Sequence, residues 1–266
     1  DLVKQLSQFF VINLTDTIVS CLINLFFKKK ACHIRTGSSR LVDIILVMKD
    51  EFLNEGQIRM LKPFGPSIAM IKIPTNLVEK LNNYVEKIVE NKKKSSELDH
   101  GKSLAGDVTQ EFNLEKDFAE KMGWIDFLKK GTAAWIDFAT QKKVNKFELI
   151  STWVVRQFRD EYNPIHWHGG HISGVGYLKV PKSFGDTKQE SKKDNSKGHL
   201  ELIHGTRMFL SDSTLKIKPE VGYFYFFPNY MMHTVYPFTG TNEERRSISF
   251  NAYIDENIFN VYGVKK

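Results

Sequence analysis

The sequence predicts an α+β protein, mainly β, in which a double-sheet jelly roll follows a set of buttressing helices. Two observations predict this fold. Apolar residues recur at helical spacing between residues 75 and 140, whereas the hydrophobic period changes to two after residue 146. Eight short strand-like segments separated by turn signals then continue to residue 254, which is enough chain to form two packed sheets.

The N-terminal elements can be predicted in order. Residues 67–73 alternate as in a strand, and Pro74 ends that strand. Thr75 or Asn76 then begins a helix, because Leu77 and the apolar residues after it recur at helical spacing. Two further amphipathic helices are predicted over 114–122 and 124–140, and residues 91–101 are predicted to be a polar loop.

The C-terminal part contains the predicted jelly roll. Its eight strands are predicted over 147–158, 165–168, 172–180, 199–204, 215–218, 222–227, 233–236 and 246–254. The aromatic strand 222–227 is expected to form core and barrel wall. A lysine-rich segment, 181–198, separates the third and fourth of these strands. It is interpreted as a solvated insertion, with a substrate-facing lid as the alternative.

The composition is that of a globular protein and excludes several classes. The chain has 266 residues, of which 41% are apolar and 26% are charged, so disordered, collagen-like and disulfide-scaffold proteins are excluded. The net charge of +7 includes a surplus in residues 1–47, so it gives no strong nucleic-acid signal. Cys21 and Cys32 form no CxxC pair. This cysteine usage predicts a reducing, cytoplasmic location.

The first 47 residues differ from the rest of the chain. Residues 9–27 form an apolar run followed by three lysines, but Asp16 inside the run would be costly in lipid. Three interpretations remain open for residues 1–47: an amphipathic helix on the domain, non-native or upstream translated sequence, and a membrane anchor. We therefore divide the chain into residues 1–47, a mostly helical part over 48–146, and the jelly-roll core over 147–266.

Histidines are concentrated in the predicted jelly roll. Six of the eight lie between His166 and His233. His166 and His168 are two residues apart, so a strand over 165–168 would place both on one face. Neutral imidazoles on one face of a barrel strand form half of a metal site. His171 and His204 are interpreted as ordinary polar residues near the barrel mouth.

The last predicted strand carries an arginine on its interior face. Arg245, Ser247 and Ser249 alternate onto one side of that strand. An arginine inside a barrel needs an anion, because an unpaired buried guanidinium is costly. The sequence therefore predicts an anion site beside the histidines.

Four motifs in this order resemble the iron(II)- and 2-oxoglutarate-dependent oxygenase superfamily. They are HxH at 166–168, SGVGYL at 173–178, FPxxxxH at 227–233 and RxSxSFN at 245–251. The nearest branch is the group called "putative 2OG-Fe(II) oxygenases", found in marine bacteria and phages. The resemblance covers about residues 64–254 and implies a double-stranded β-helix.

The resemblance also implies the metal ligands of a 2-oxoglutarate-dependent dioxygenase. His166 would be the first ligand and His233 the distal histidine of an Fe(II) site. The superfamily usually has HxD or HxE, whereas this chain has His168 at the second position. Three alternatives remain open: His168 is the third ligand, it lies beside a displaced carboxylate such as Glu201 or Asp160, or the site is inactive.

The co-substrate residues follow from the same resemblance. Arg245 would pair with the C5 carboxylate of 2-oxoglutarate, and Ser247 and Tyr177 would donate hydrogen bonds to it. Arg246 is the alternative if the register slips by one, although strand parity would then turn it outward. The implied reaction hydroxylates an unidentified substrate and releases succinate and CO2.

Two other functions remain open. One is a cupin-like dioxygenase with three histidines that does not use 2-oxoglutarate, and the other is a non-catalytic jelly-roll binding or virion-associated module. The substrate class is open between a small molecule, a protein side chain and a nucleobase. The sequence does not indicate an oligomeric state.

Overall fold

Eleven β-strands in two antiparallel sheets form the core of the part of the chain that the computed structural model describes, residues 53–61, 65–189, 191–192 and 194–262. The apolar run 9–27 and the other predictions for residues 1–47 lie outside these ranges. No helix within them is long and apolar enough to span a membrane.

Helices and short strands alternate in the first half of the described chain, whereas strands dominate the second half. In chain order, the elements are β1 (Ile58–Leu61), β2 (Ile68–Lys72), α1 (Thr75–Glu90), α2 (Lys92–Glu97), a 3-10 turn (Gly101–Ser103), β3 (Gln110–Asn113), α3 (Lys116–Lys121), α4 (Trp124–Thr140), β4 (Phe147–Gln157), β5 (Asn163–His166), β6 (Ile172–Lys179), β7 (Leu200–Ile203), β8 (Thr214–Ile217), β9 (Tyr223–Pro228), β10 (Met232–Val235), β11 (Arg245–Ile254) and α5 (Glu256–Phe259).

The two sheets differ in size and in what covers them. The major sheet has seven strands in the order β1-β2-β9-β6-β11-β4-β3, and the minor sheet has four in the order β5-β10-β7-β8. Neighbouring strands in both sheets are antiparallel. This arrangement, with helices beside the major sheet, confirms the predicted α+β, mainly β jelly roll.

Strand β9 shows how the major sheet separates two apolar cores. Phe224 and Phe226 pack in the cluster that contains the buried faces of α1 and α4. Tyr225 and Phe227 point the other way and pack with residues of the minor sheet such as Leu202. This alternation follows from the period of two in a strand. The predicted role of the aromatic strand as core and barrel wall is confirmed.

Two glycines of β6 allow the aromatic strand to approach closely. A Cβ on Gly174 would lie 2.6 Å from the carbonyl oxygen of Tyr225, and a Cβ on Gly176 would overlap the Phe224 ring. Any side chain at these positions would therefore push β9 away. The glycines of the SGVGYL segment serve packing at the barrel wall.

Most predicted elements agree with the structure to within about two residues, and three predictions need correction. Residues 91–101 contain α2 instead of the expected loop, and this helix begins where the Asn91 side chain accepts a hydrogen bond from the Lys94 amide. Strands β1 and β3 are additional to the predicted set. The strand expected over 165–168 is β5, which ends at His166, so His168 lies beyond the strand.

Candidate active site

Three histidine rings converge between the two sheets. His166 at the end of β5 lies directly opposite His233 of β10, because these two strands are hydrogen-bonded neighbours. The Nε2 atoms of His168 and His233 are 3.1 Å apart. One ring nitrogen from each histidine lies within 4.8 Å of those of the other two. The chain thus brings together imidazoles that are more than sixty residues apart in sequence.

His168 is positioned by the turn between β9 and β10 rather than by a strand face. Its amide donates a hydrogen bond to the carbonyl oxygen of Asn229 at 3.0 Å. The Asn229 side-chain amide in turn donates to the carbonyl oxygen of His168 at 3.2 Å. His168 therefore does not share a strand face with His166, and that prediction is wrong, although the three rings do converge.

Backbone carbonyls orient two of the rings. The Nδ1 atom of His166 lies 2.7 Å from the Pro164 carbonyl oxygen, and that of His233 lies 2.8 Å from the Met231 carbonyl oxygen. These contacts assign the ring proton to Nδ1 in both residues. The Nε2 lone pairs of His166 and His233 are therefore available to a metal ion.

Burial keeps the three imidazoles neutral. It lowers the pKa of His168 to about 3, with a further contribution from the charge of His166. The pKa of His233 is held well below its usual value by burial and by both neighbouring histidines, and burial also lowers the pKa of His166. Neutral imidazole is the form that ligates divalent metals, so this protonation state fits a metal site.

The spacing of the nitrogens also fits a metal. Two ligands at about 2.1 Å from one ion and at right angles to each other are about 3 Å apart. The separation of 3.1 Å between His168 and His233 is of that size. The donor set of three imidazoles suits Fe, Zn, Cu or Ni.

Glu201, one of the two suggested carboxylates, points away from the histidines. It lies opposite Thr234 in the β7–β10 pair, whereas Leu202 lies opposite His233. Directly opposite residues share a face, so Glu201 is on the outer side of the minor sheet. There the Tyr236 hydroxyl donates a hydrogen bond to it.

Asp160, the other suggested carboxylate, and two further histidines also lie outside the group. Asp160 is exposed and pairs with Arg159. His171 is buried, but its ring stacks on Phe259 at 3.9 Å between centroids. His204 does not belong to the group either, so within the described ranges the potential ligands are three histidines and no carboxylate.

Arg245 is fully buried on the interior face of β11. Its Nε atom donates to the carbonyl oxygen of Gly198 at 3.1 Å, and Nη1 lies 3.4 Å from the Ser247 hydroxyl. Its guanidinium carbon lies 5.1 Å from the centre of the Tyr177 ring. Among the described residues, Nη2 has no hydrogen-bond partner and no carboxylate forms an ion pair with this arginine.

The Tyr177 hydroxyl is a second buried group without a hydrogen-bond partner among the described residues. Tyr177 lies opposite Ser247 in the β6–β11 pair, so both face the barrel interior with Arg245. Burial raises the pKa of Tyr177, although the charge of the adjacent Arg245 guanidinium and its polar contact with the phenol oppose this shift, and the phenol stays neutral. The guanidinium, which has no carboxylate partner among the described residues, and the adjacent phenol form a pair of donors that fits a carboxylate.

The neighbouring arginine has a different environment. Arg246 points to the opposite face of β11, where its guanidinium makes two hydrogen bonds to Glu244 and one to Glu86 at 2.8 Å. It also bonds the Asn82 side chain of α1. Strand alternation turns Arg246 away from the barrel interior, as expected, but its side chain is buried against α1 and is not exposed.

One cavity of about 180 Å³ connects the histidines to the interior face of β11. It is lined by all three histidines together with Ser247 and Ser249. Much of the remaining wall is apolar, formed by Trp153, Val175, Leu200, Phe227 and Val235. An apolar wall around a few polar groups is typical of a small-molecule site.

Sequence reasoning missed two polar residues of this cavity. Glu111 of β3 and Asn163 of β5 both line it. Burial and the charge of Asp99 raise the pKa of Glu111 to about 7. Nothing in the short segment Gln110–Asn113 marks it as a strand, so its inward-facing carboxylate could not be recognised from periodicity.

Comparison with known proteins gives a match to one family. Residues 151–251 match the family described as "Putative 2OG-Fe(II) oxygenase". No curated protein matches the chain. The matched segment includes all three histidines, Tyr177, Arg245 and Ser247.

Several solved structures are similar to the chain at low sequence identity. One is the viral collagen prolyl hydroxylase vCPH from Paramecium Bursaria Chlorella virus-1 in complex with 2OG, at 16% identity and a TM-score of 0.46, covering 70% of this chain and 94% of that one. A prolyl-4-hydroxylase from Pseudomonas putida has 14% identity and a TM-score of 0.45, covering 69% and 91%. HygX from Streptomyces hygroscopicus, with nickel and 2-oxoglutarate bound, has 10% identity and a TM-score of 0.44, covering 69% and 80%.

The jelly roll, the histidine group and the family match together define a class. Residues 151–251 match the 2OG-Fe(II) oxygenase family, and this match agrees with the motif resemblance. The cofactors of this class are Fe(II) and 2-oxoglutarate. Three neutral imidazoles fit the first, and the buried donors of Arg245 and Tyr177 fit the second.

Proposed function

We propose that this protein is an Fe(II)- and 2-oxoglutarate-dependent dioxygenase that hydroxylates its substrate. The observation that carries the proposal is one barrel interior holding three convergent neutral imidazoles and a buried guanidinium whose Nη2 atom has no hydrogen-bond partner in the described part of the chain. The overall reaction converts substrate C–H, 2-oxoglutarate and O2 into substrate C–OH, succinate and CO2. In this balance, the two-electron oxidations of the substrate and of the 2-oxo acid together reduce one O2.

His166, His168 and His233 would hold the metal. A bound Fe(II) would supply the redox chemistry that lets O2 react, and bound 2-oxoglutarate would supply two of the four electrons. The protein residues supply three neutral nitrogen ligands with fixed orientation. Three imidazoles add no negative charge, so the site retains more positive charge than one with two histidines and a carboxylate.

Arg245, Tyr177 and Ser247 would bind the distal carboxylate of 2-oxoglutarate. The arginine brings the compensating charge, and the phenol and the serine hydroxyl bring additional hydrogen-bond donors. Arg245 lies on the same face of β11 as Ser247 and Ser249, which line the histidine cavity. An extended dicarboxylate can therefore reach from Arg245 toward the metal ligands. Apolar residues such as Leu200 and Phe227 exclude water from the space between.

A three-histidine dioxygenase that does not use 2-oxoglutarate is the second candidate. It is favoured by one observation, namely that the described ligand group contains no carboxylate. Such an enzyme has no need of a buried, uncompensated Arg245, so the arginine favours the first proposal.

An anaerobic titration tests the proposal. Purified protein loaded with Fe(II) is titrated with 2-oxoglutarate under argon while its visible absorption is recorded. We expect a charge-transfer band that saturates with one equivalent, and succinate formation once O2 is admitted. Metal binding without any spectral response to 2-oxoglutarate would support the second candidate, and failure to bind metal would support a non-catalytic module.

The substrate and cellular location are part of the proposal. The cavity size suits a small molecule or a single side chain of a protein. The sequence has two cysteines, Cys21 and Cys32, which are too few for a disulfide framework, and this supports a cytoplasmic protein.

A further inference from the structure

A buried carboxylate forms part of the wall of the cavity that holds the three histidines. Glu111 is 3% exposed and lines the same cavity as the histidines. It lies opposite Val155 in the β3–β4 pair, and Val155 also lines the cavity. Its Oε2 atom has no hydrogen-bond partner in the described part of the chain. A buried acceptor without a donor is rare in folded proteins and points to a missing partner.

Asn163 places a second acceptor beside this carboxylate. Its Oδ1 atom is also buried and lacks a hydrogen-bond partner among the described residues. A Cβ added to Gly106 would overlap Asn163 Oδ1 and would lie 2.9 Å from Glu111 Oε1. The two oxygens therefore flank the same glycine, and together they present acceptors to one region of the cavity.

No cation of the described chain compensates the charge that Glu111 carries when it ionises, and burial therefore raises the pKa of this carboxyl to about 7. No lysine or arginine of the described ranges forms an ion pair with Glu111, and the nearby Asp99 adds a second negative charge. Holding an anion in a buried site without a cation is costly. A positively charged ligand would remove that cost and supply the missing donors at the same time.

Two tryptophans complete the surroundings. Trp153 and Trp167 both line the cavity, and Trp167 remains 65% exposed. The faces of tryptophan rings attract ammonium and guanidinium groups. Aromatic rings near a carboxylate are a combination that selects cations over neutral molecules of the same shape.

We propose that Glu111 and Asn163 form a subsite for a cationic nitrogen of the substrate, an ammonium or guanidinium group. This inference rests on the proposed function, because a cation held there would place a neighbouring carbon of the same molecule toward the histidine group. The barrel interior is then divided by charge, with the carboxylate of 2-oxoglutarate at Arg245 and the substrate cation at Glu111.

Small probes test the subsite without knowledge of the substrate. Binding of methylguanidinium and of n-butylammonium is measured by ligand-observed NMR on protein loaded with Mn(II) and 2-oxoglutarate under argon. The neutral controls are methylurea and 1-butanol. Because Mn(II) broadens nearby resonances, the same spectra report whether a probe binds close to the metal. We expect at least one cation to bind tenfold or more tightly than its neutral control.

Two variants assign that preference to the subsite. Glu111→Gln keeps the shape but removes the charge, and we expect it to abolish the preference for the cation. Gly106→Ala places a methyl group against both oxygens and displaces the Asn163 amide, so it should weaken cation binding tenfold although the Glu111 carboxyl is kept. Glu148→Gln removes the same charge from an exposed position and should leave the preference unchanged.

The outcomes separate this inference from the proposed function. Equal binding of charged and neutral probes would overturn the subsite, as would a preference that survives in Glu111→Gln. A parallel loss of Mn(II) affinity in Glu111→Gln would also overturn it, by assigning Glu111 to the metal. If the protein prefers the cations but fails to bind 2-oxoglutarate, the subsite is supported and the proposed dioxygenase function is overturned.

Discussion

Arg245 and Arg246 are adjacent in the chain and both fully buried, yet among the described residues only Arg246 has carboxylate partners. Arg246 pairs with Glu244 and Glu86 on the helix side of β11. Arg245 points to the barrel interior, where a backbone carbonyl and a serine hydroxyl are its hydrogen-bond partners. The two faces of β11 therefore give the two arginines different roles. Arg246 stabilises the fold, and the charge of Arg245 is available to a ligand.

Arg245→Ala should weaken 2-oxoglutarate binding strongly. A hydrogen bond to a charged group contributes about 1.5–3 kcal/mol, so we expect a loss of about tenfold to a hundredfold in affinity. Arg245→Lys keeps the charge but loses the forked geometry, so its affinity for 2-oxoglutarate should lie between those of wild type and Arg245→Ala. The anaerobic spectral titration measures all three proteins, and unchanged affinity in Arg245→Ala would contradict the assignment.

Arg246→Ala should instead affect stability. It removes the main partner of the buried Glu244, which retains only Arg156 and Lys179. Loss of one member of a buried ion pair costs about 3–5 kcal/mol, and the remaining cations reduce this toward the lower bound. Urea denaturation should show the loss, while 2-oxoglutarate affinity of the folded fraction stays within twofold. A selective loss of 2-oxoglutarate affinity would reverse the roles of the two arginines.

The fold was largely predictable because its main signal is local. The period of two after residue 146 located all eight strands from β4 to β11, and helical spacing located α1 and α4. The short strands β1 and β3 have four residues each and belong to the edges of the major sheet, so they carry too little alternation to be recognised. The helix α2 was missed although Asn91 is a good N-cap residue.

The site was predictable only where residue type restricts the possibilities. Histidines and a strand arginine indicated metal and anion chemistry from sequence, and the structure brings the three histidines together and buries Arg245 on the interior face of β11. Glu111 could not be recognised, because its burial depends on the pairing of β3 with β4. The position of His168 also depends on a contact with Asn229, sixty-one residues away, which no local pattern indicates.

His168→Ala should lower metal affinity by a hundredfold or more if His168 is the third ligand. Loss of a ligand costs more than loss of an outer hydrogen-bond partner, which typically costs tenfold to a hundredfold. His171→Asn is the matched control, because His171 is buried but lies outside the group. Competition against a fluorescent chelator measures both variants. Equal affinities in wild type and His168→Ala would leave His166 and His233 as the protein's histidine ligands.

Acid should destabilise the protein through Glu244. Its two arginine partners outweigh burial and lower the pKa of this carboxyl from 4.5 to about 2. A carboxyl with a lower pKa in the folded state stabilises the fold above its unfolded pKa, and this contribution is lost as the pH falls. The free energy of unfolding of wild type should therefore decline between about pH 4.5 and 2, and the decline should be smaller in Glu244→Gln. Parallel curves for the two proteins would contradict the prediction.

Glu111 should show the opposite dependence. Its pKa is raised from 4.5 to about 7, so the folded protein holds this proton more tightly than the unfolded chain does. Its contribution to stability is therefore greatest at low pH and is lost as the pH rises through that window. Glu111→Gln removes the cost of ionisation, and we expect it to be more stable than wild type by about 1–3 kcal/mol at pH 8, with the advantage vanishing near pH 4.

Urea denaturation at both pH values measures the difference. A variant that is less stable at pH 8 would mean that the carboxylate is stabilised by a partner within the folded chain, and the cation subsite would lose its physical basis.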